Sequence, residues 1–280
     1  MTPLKIEESL LLGKANDPTL CEDAIVVNDH FVAVIDGATS LIERRPGQKT
    51  PGRKAVDSIS QTIANIAADV DAYVFFRALN AALLNSYHAA GTYEQVKSAP
   101  HKRSSAAVVA YSRKRSEVWL VSDCQALIDD TFVTSSRRAD VLLSEVRSMF
   151  LESELLNGKT IDELRVNDTG REYIETMLVR QKRFQNIGND NPLNYYVLDG
   201  FLKDVQSAVQ ITPVPQDCSQ IVLASDGYPY LKPTLKESET ALHRILDKDP
   251  LCFREYKSTK GISGENISFD DRAYIRFRPN

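Results

Sequence analysis

Apolar positions along the chain switch between a period of two and a period near 3.6, and the switches lay out the elements. Residues 24–28 and 31–35 are short β-rich runs separated by Asp29-His30, which predicts a hairpin whose second strand ends in Asp36-Gly37. Val56, Ile59, Ile63 and Ile66 then recur at helical spacing over 54–66, after a loop marked by Pro51 and Gly52. Tyr73, Phe76, Leu79, Leu83 and Tyr87 predict a second helix. Three β-rich segments follow at 106–111, 117–121 and 126–134, the last broken by a turn at Asp129-Asp130.

Helical spacing returns with Val141, Leu142, Val146, Met149 and Phe150, in a helix that Gly158 can end. Thr160 and Glu163 have the spacing of a capping box for a short helix, and another helix is predicted over 171–183. Strand character reappears at 195–198 and 220–224, a helix follows over 235–246, and the last strand is 273–277. Consecutive strands without intervening helices favour antiparallel pairing over βαβ units. The expected class is therefore α+β.

Composition narrows the function classes. The 280 residues carry a net charge of −4, with 42% hydrophobic and 26% charged residues. This is the make-up of a globular chain, and it lacks the basic excess of a protein that binds nucleic acid by neutralising phosphates. No Gly/Ser- or Pro-rich tract interrupts it, so one domain is expected over 1–280. The apolar run at 10–12 follows Glu7 and Glu8, unlike a secretory signal, and no stretch is long enough to span a bilayer. The four cysteines show no metal-clamp spacing and read as reduced thiols, so a cytoplasmic protein with no membrane contact is expected.

Carboxylates gather at the ends of the predicted strands: Glu22-Asp23 before the first, Asp36 after the second, Asp226 after 220–224, and Asp270-Asp271 before the last. Strand ends are rigid supports, and hard divalent cations prefer such oxygen ligands. Gly37 and Gly227 beside two of these acids permit close backbone approach. Taken singly, each site reads as a turn or a solvated sheet edge rather than as chemistry; only their order along the chain sets them apart.

In order along the chain, CEDAIVV, VAVIDGATS, SSAAVVAYS with VWLVSDCQALI, IVLASDGYPYL and FDDRAYI resemble the successive motifs of the metal-dependent PPM (type 2C) serine/threonine phosphatases. The resemblance implies a four-layer α-β-β-α sandwich of two mostly antiparallel sheets flanked by helices; the helical stretch here is longer than the family's usual flap region and reads as an insertion at about 135–194. It implies Mn²⁺ or Mg²⁺ as cofactor in two ions, with Asp36 bridging them and the Gly37 carbonyl on one. Asp226 and Asp270 match the other ligands of the second ion, Glu22 and Asp23 match the acids of the first, and Asp123 matches an acid that shares a third ion with Asp226. A metal-bridging water would then attack a phosphomonoester, Asp36 and Asp226 being the catalytic pair, with phosphoserine or phosphothreonine in a partner protein as substrate.

Two positions depart from the family pattern. Ala38 stands where a His often follows Asp-Gly, and Pro18 stands where an Arg binds substrate phosphate. Lys14 is the nearest cation, and Arg44 and Arg45 open a basic run over 44–54 that could also contact phosphate, although such a run is more often a solvated loop. Two alternatives stay open: a pseudophosphatase serving as a binding or regulatory module, and a phosphatase for a small phosphorylated metabolite. The four histidines lack metal-ligand spacing, and no GxSxG surrounds Ser105 or Ser225.

Overall fold

The computed structural model describes residues 4–38, 49–188 and 190–279. Among these residues, ten strands form two five-stranded sheets. They are β1 (Lys5–Leu12), β2 (Asp23–Val27), β3 (Phe31–Gly37), β4 (Ala106–Ser112), β5 (Glu117–Val121), β6 (Gln125–Ile128), β7 (Thr131–Thr134), β8 (Gln210–Pro213), β9 (Ile221–Ala224) and β10 (Arg272–Arg278). The sheet orders are β1-β10-β9-β6-β7 and β2-β3-β4-β5-β8. Every pairing within them is antiparallel.

Layering follows from the two-residue period of each strand. In β3, Phe31, Ala33 and Ile35 pack with α1 (Pro51–Asn65) and α2 (Ala72–Ala89), whereas Val32 and Val34 pack against the other sheet. In β4, Ala106, Val108 and Ala110 face the helices, and Ala107, Val109 and Tyr111 face inward. On the second sheet, Ile221 and Leu223 of β9 meet the first sheet, while Val222 and Ala224 pack on Leu242 and Leu246 of α8 (Leu235–Lys248). Helices cover both outer faces, so the central strands are buried on both sides and read as continuous apolar runs. The result is the expected α-β-β-α sandwich.

Thr50 caps α1 by accepting from the Arg53 N–H, and Asp71 caps α2 by accepting from that of Val74. After α3 (Tyr93–Ser98), the helices between β7 and β8 are α4 (Arg138–Leu156), α5 (Ile161–Val166), α6 (Thr169–Gln181) and α7 (Val205–Ala208). The capping box of Thr160 and Glu163 is formed on α5. Arg147 of α4 is fully buried and bonds Asp168, the N-cap of α6, together with the carbonyls of Leu251, Cys252 and Ser258.

Three expectations change. Residues 195–198 form only isolated bridges, Gln185 with Tyr195 and Ala106 with Leu198, because Asn186 takes the Val197 N–H and carbonyl through its side chain. The strand β1 was hidden by Glu7 and Glu8, whose charges are met by Arg276 and Arg278 across the β1–β10 pair. β8 also joins the sheet edge beside β5. The four cysteines are free thiols and buried. Among the described residues, no helix is long and apolar enough to cross a membrane.

Candidate metal centre

The strand period that builds the core also builds the site. Asp36 continues the inward-facing parity of Val32 and Val34, and Asp23 lies opposite it in the β2–β3 register. Asp271 has the parity of the inward-facing Ala273 and Ile275. At this end of the sandwich, the apolar seam between the sheets therefore gives way to carboxylates. Asp123 lies in the crossing from β5 in one sheet to β6 in the other, and Asp226 lies two residues past β9.

Asp36, Asp123 and Asp226 each offer a carboxylate oxygen, and these atoms lie within 4.8 Å of one another. All three line a cleft of about 380 Å³ between this sheet end, α6 and the loop at 256–260. Burial raises the Asp36 and Asp226 carboxyls well above the usual carboxylate range, and the surrounding acids raise them further. Asp23 is 1% exposed, its Oδ2 has no hydrogen-bond partner, and burial likewise raises its carboxyl.

Neighbouring side chains hold the acids in place. Arg137 ion-pairs with Asp123, and its Nη2 donates to Ser122 Oγ at 2.8 Å. Ser122 has φ of +75°, a left-handed conformation uncommon for a side-chain-bearing residue, where the chain turns from sheet to sheet. The Thr50 hydroxyl donates to Glu22, and the Glu22 N–H donates to Asp271 Oδ2 at 3.0 Å. A Cβ on Gly227 would lie 2.1 Å from the Asp271 carbonyl oxygen, and one on Gly37 would lie 2.5 Å from that of Glu22. Only glycine lets the backbone come this close beside the acids at the two positions.

The other sequence-derived residues are placed as follows. Asp270 also lines the cleft, but it ion-pairs with Lys260 and with Lys14 at 3.3 Å. Burial pushes its carboxyl up, yet the two ammonium groups outweigh that and leave it at about 2. Lys14 is tied to Asp271 as well, at 3.4 Å. Arg44 and Arg45 lie outside the described residues. Further along the same basic run, Lys49 and Arg53 both pair with Asp57. Arg103, in the basic stretch His101-Lys102-Arg103 before β4, pairs with buried Asp199 at 2.9 Å. Sequence reasoning did not single out Arg137, Lys182 or Lys260, because each reaches the cleft from a helix or loop that shows no motif.

No protein-family model matches the sequence, and no curated protein matches it significantly. Solved structures do resemble it. The serine/threonine phosphatase Stp1 from Staphylococcus aureus shares 14% identity over 100% of this chain and 96% of that one, with a TM-score of 0.48. The PPM Ser-Thr phosphatase MsPP from Mycobacterium smegmatis, in complex with cacodylate, shares 13% over 99% and 100%, with a TM-score of 0.46. The catalytic domain of the phosphatase PstP, in complex with two manganese ions, shares 15% over 99% and 100%, with a TM-score of 0.45. At these identities and scores, the chemistry must be argued from the chain's own side chains.

Proposed function

We propose that this chain is a divalent-metal-dependent phosphomonoester hydrolase acting on phosphoserine or phosphothreonine in proteins. The observation that carries the reading is the convergence of Asp36, Asp123 and Asp226, from both sheets and the crossing between them, on one cleft. All three donors are carboxylate oxygens, the set that suits Mg²⁺ or Mn²⁺. The unpartnered Oδ2 of Asp23 beside them fits a centre that needs further positive charge or water. Asp36, Asp123 and Asp226 would hold the metal, with Glu22, Asp23, the Gly37 carbonyl and Asp270 completing the surroundings, in one or two ions.

A divalent cation bound there would supply charge neutralisation at a phosphoryl group and activation of water. The chain's own part is to fix the acids in advance. Arg137 orients Asp123, Thr50 orients Glu22, and the Glu22 N–H with the Lys14 N–H, at 2.8 Å, orients Asp271. In the net reaction, the oxygen of water ends on phosphorus and the ester oxygen leaves as the alcohol. The protein substrate rests on the motif resemblance; phosphopeptides set against nucleotides and sugar phosphates test it.

A second reading, a metal-binding module without turnover, is favoured by the two lysines that already occupy Asp270. One experiment separates the two. Hydrolysis of p-nitrophenyl phosphate should require Mn²⁺ or Mg²⁺ and should fall at least a hundredfold in Asp36→Asn and Asp226→Asn. Wild-type turnover no greater than that of these variants in excess Mn²⁺ would leave only the binding module.

A further inference from the structure

Five basic residues line the cleft: Arg137, Arg171, Lys182, Lys257 and Lys260. Three of them are paired with acids, Arg137 with Asp123, Lys257 with Glu145 at 2.6 Å, and Lys260 with Asp270. Arg171 donates to the Thr259 carbonyl at 2.9 Å, which ties α6 to the loop at 256–260. Among the described residues, the Lys182 side chain makes no hydrogen bond or ion pair.

Lys182 follows directly on α6 and keeps helical backbone angles, φ −60° and ψ −14°. The spacing of 171, 178 and 182 therefore sets Arg171, Leu178 and Lys182 on one helix face, and all three line the cleft. Asp123, a member of the acid trio, is among the carboxylates whose charge reaches Lys182, and Asp270 is among those whose charge reaches Arg171. Burial lowers the Lys182 ammonium to about 8, and Arg137 lowers it further against the pull of Asp140, Asp123 and Asp199. A half-buried ammonium with no carboxylate at ion-pair distance among the described residues is open to an incoming dianion, which would offset its partial desolvation.

We propose that Lys182 binds the phosphoryl oxygens of the substrate in the cleft that it lines together with the acids. This rests on the phosphomonoesterase reading above. It gives the helices between β7 and β8 a role in catalysis, because they carry the cation to a cleft built by the sheets. As a compact point charge, Lys182 would contact one or two oxygens without the forked geometry of an arginine.

The test uses the full chain with Lys182→Met, Lys182→Arg and, as a control on the same rim, Lys257→Met. Inorganic phosphate is titrated calorimetrically into the Mn²⁺-saturated proteins, Mn²⁺ affinity is measured separately, and KM and kcat are read with p-nitrophenyl phosphate. Lys182→Met should weaken phosphate binding and raise KM by about ten- to a hundredfold, the worth of one hydrogen bond to a charged group. Mn²⁺ affinity should be unchanged, Lys182→Arg should recover most of the loss, and Lys257→Met should match wild type. Unchanged phosphate affinity and KM in Lys182→Met would overturn the proposal, as would loss of Mn²⁺ binding, which would assign the residue to shaping the metal centre. A wild-type protein that binds phosphate through Lys182 without hydrolysing the ester would sink the phosphatase reading and leave this one standing.

Discussion

Asp36 occupies the next inward-facing position after Val32 and Val34, so its carboxylate stands where another apolar side chain would extend the core. Burial, and then Asp23, Asp123 and Asp270, raise its carboxyl well above the ordinary range, and Asp226 and Asp23 are raised in the same direction. A carboxyl raised on folding contributes stability below its unfolded value, near 4, and loses that contribution as pH rises through the folded value. With a chelator present, the melting temperature should therefore climb as pH is lowered from about 7 towards about 5. Asp270, held at about 2 by its lysines, keeps its contribution across this window and does not oppose the trend. Asp36→Asn removes the central charge, so it should raise the melting temperature at neutral pH and flatten the slope. Scanning calorimetry in EDTA checks both; a wild-type midpoint that falls on acidification would show that the acids do not repel one another as placed.

The elements around the cleft differ in what fixes them. The strand carrying Asp36 and the one that leads into Asp226 are held by ladders and by apolar contacts on both faces, whereas α4, α6 and the loop at 251–258 meet on Arg147. That side chain is fully buried and bonds Asp168 and three carbonyls. Arg147→Met keeps the bulk and strands the partners, which should cost about 3–5 kcal/mol. Urea titration reads the cost, and limited proteolysis should show earlier cleavage around 251–260; a variant as stable as wild type would leave Arg147 as one replaceable contact among many. The same contrast explains what the sequence makes legible. Acids at strand ends are visible because parity and turn residues are local, as the Asp23–Asp36 register and the tight turn at Gly227 show. Lys182, Arg137 and Lys260 are not visible, since their positions depend on how helices and loops distant in sequence pack against the sheets. β1 is obscured for a similar reason, the main partners of its acids being arginines at the far end of the chain.

At the scale of the whole molecule, the acids straddle a seam. Asp36 belongs to one sheet, Asp226 follows a strand of the other, and Asp123 lies in the crossing between them. Away from this end, the sheets are joined by an apolar interface that includes Val34, Val109, Leu223 and Ile275. At this end they present mutually repelling carboxylates, so a divalent cation held by the trio would act as a clasp between the sheets. At a concentration a hundred times its dissociation constant, such an ion should stabilise the fold by about 2.7 kcal/mol. Amides that exchange by local opening should gain protection on addition of Mn²⁺ at 35–37, 122–125 and 224–227. Those at the opposite end of the same strands, around 28–31 and 112–117, should change little. Hydrogen exchange with and without Mn²⁺ measures this directly, and Asp36→Asn should lose the difference between the two ends. Equal gains at both ends would mean that the cation stabilises the protein from somewhere other than the seam, because an ion held by these three acids closes one end of the sandwich only.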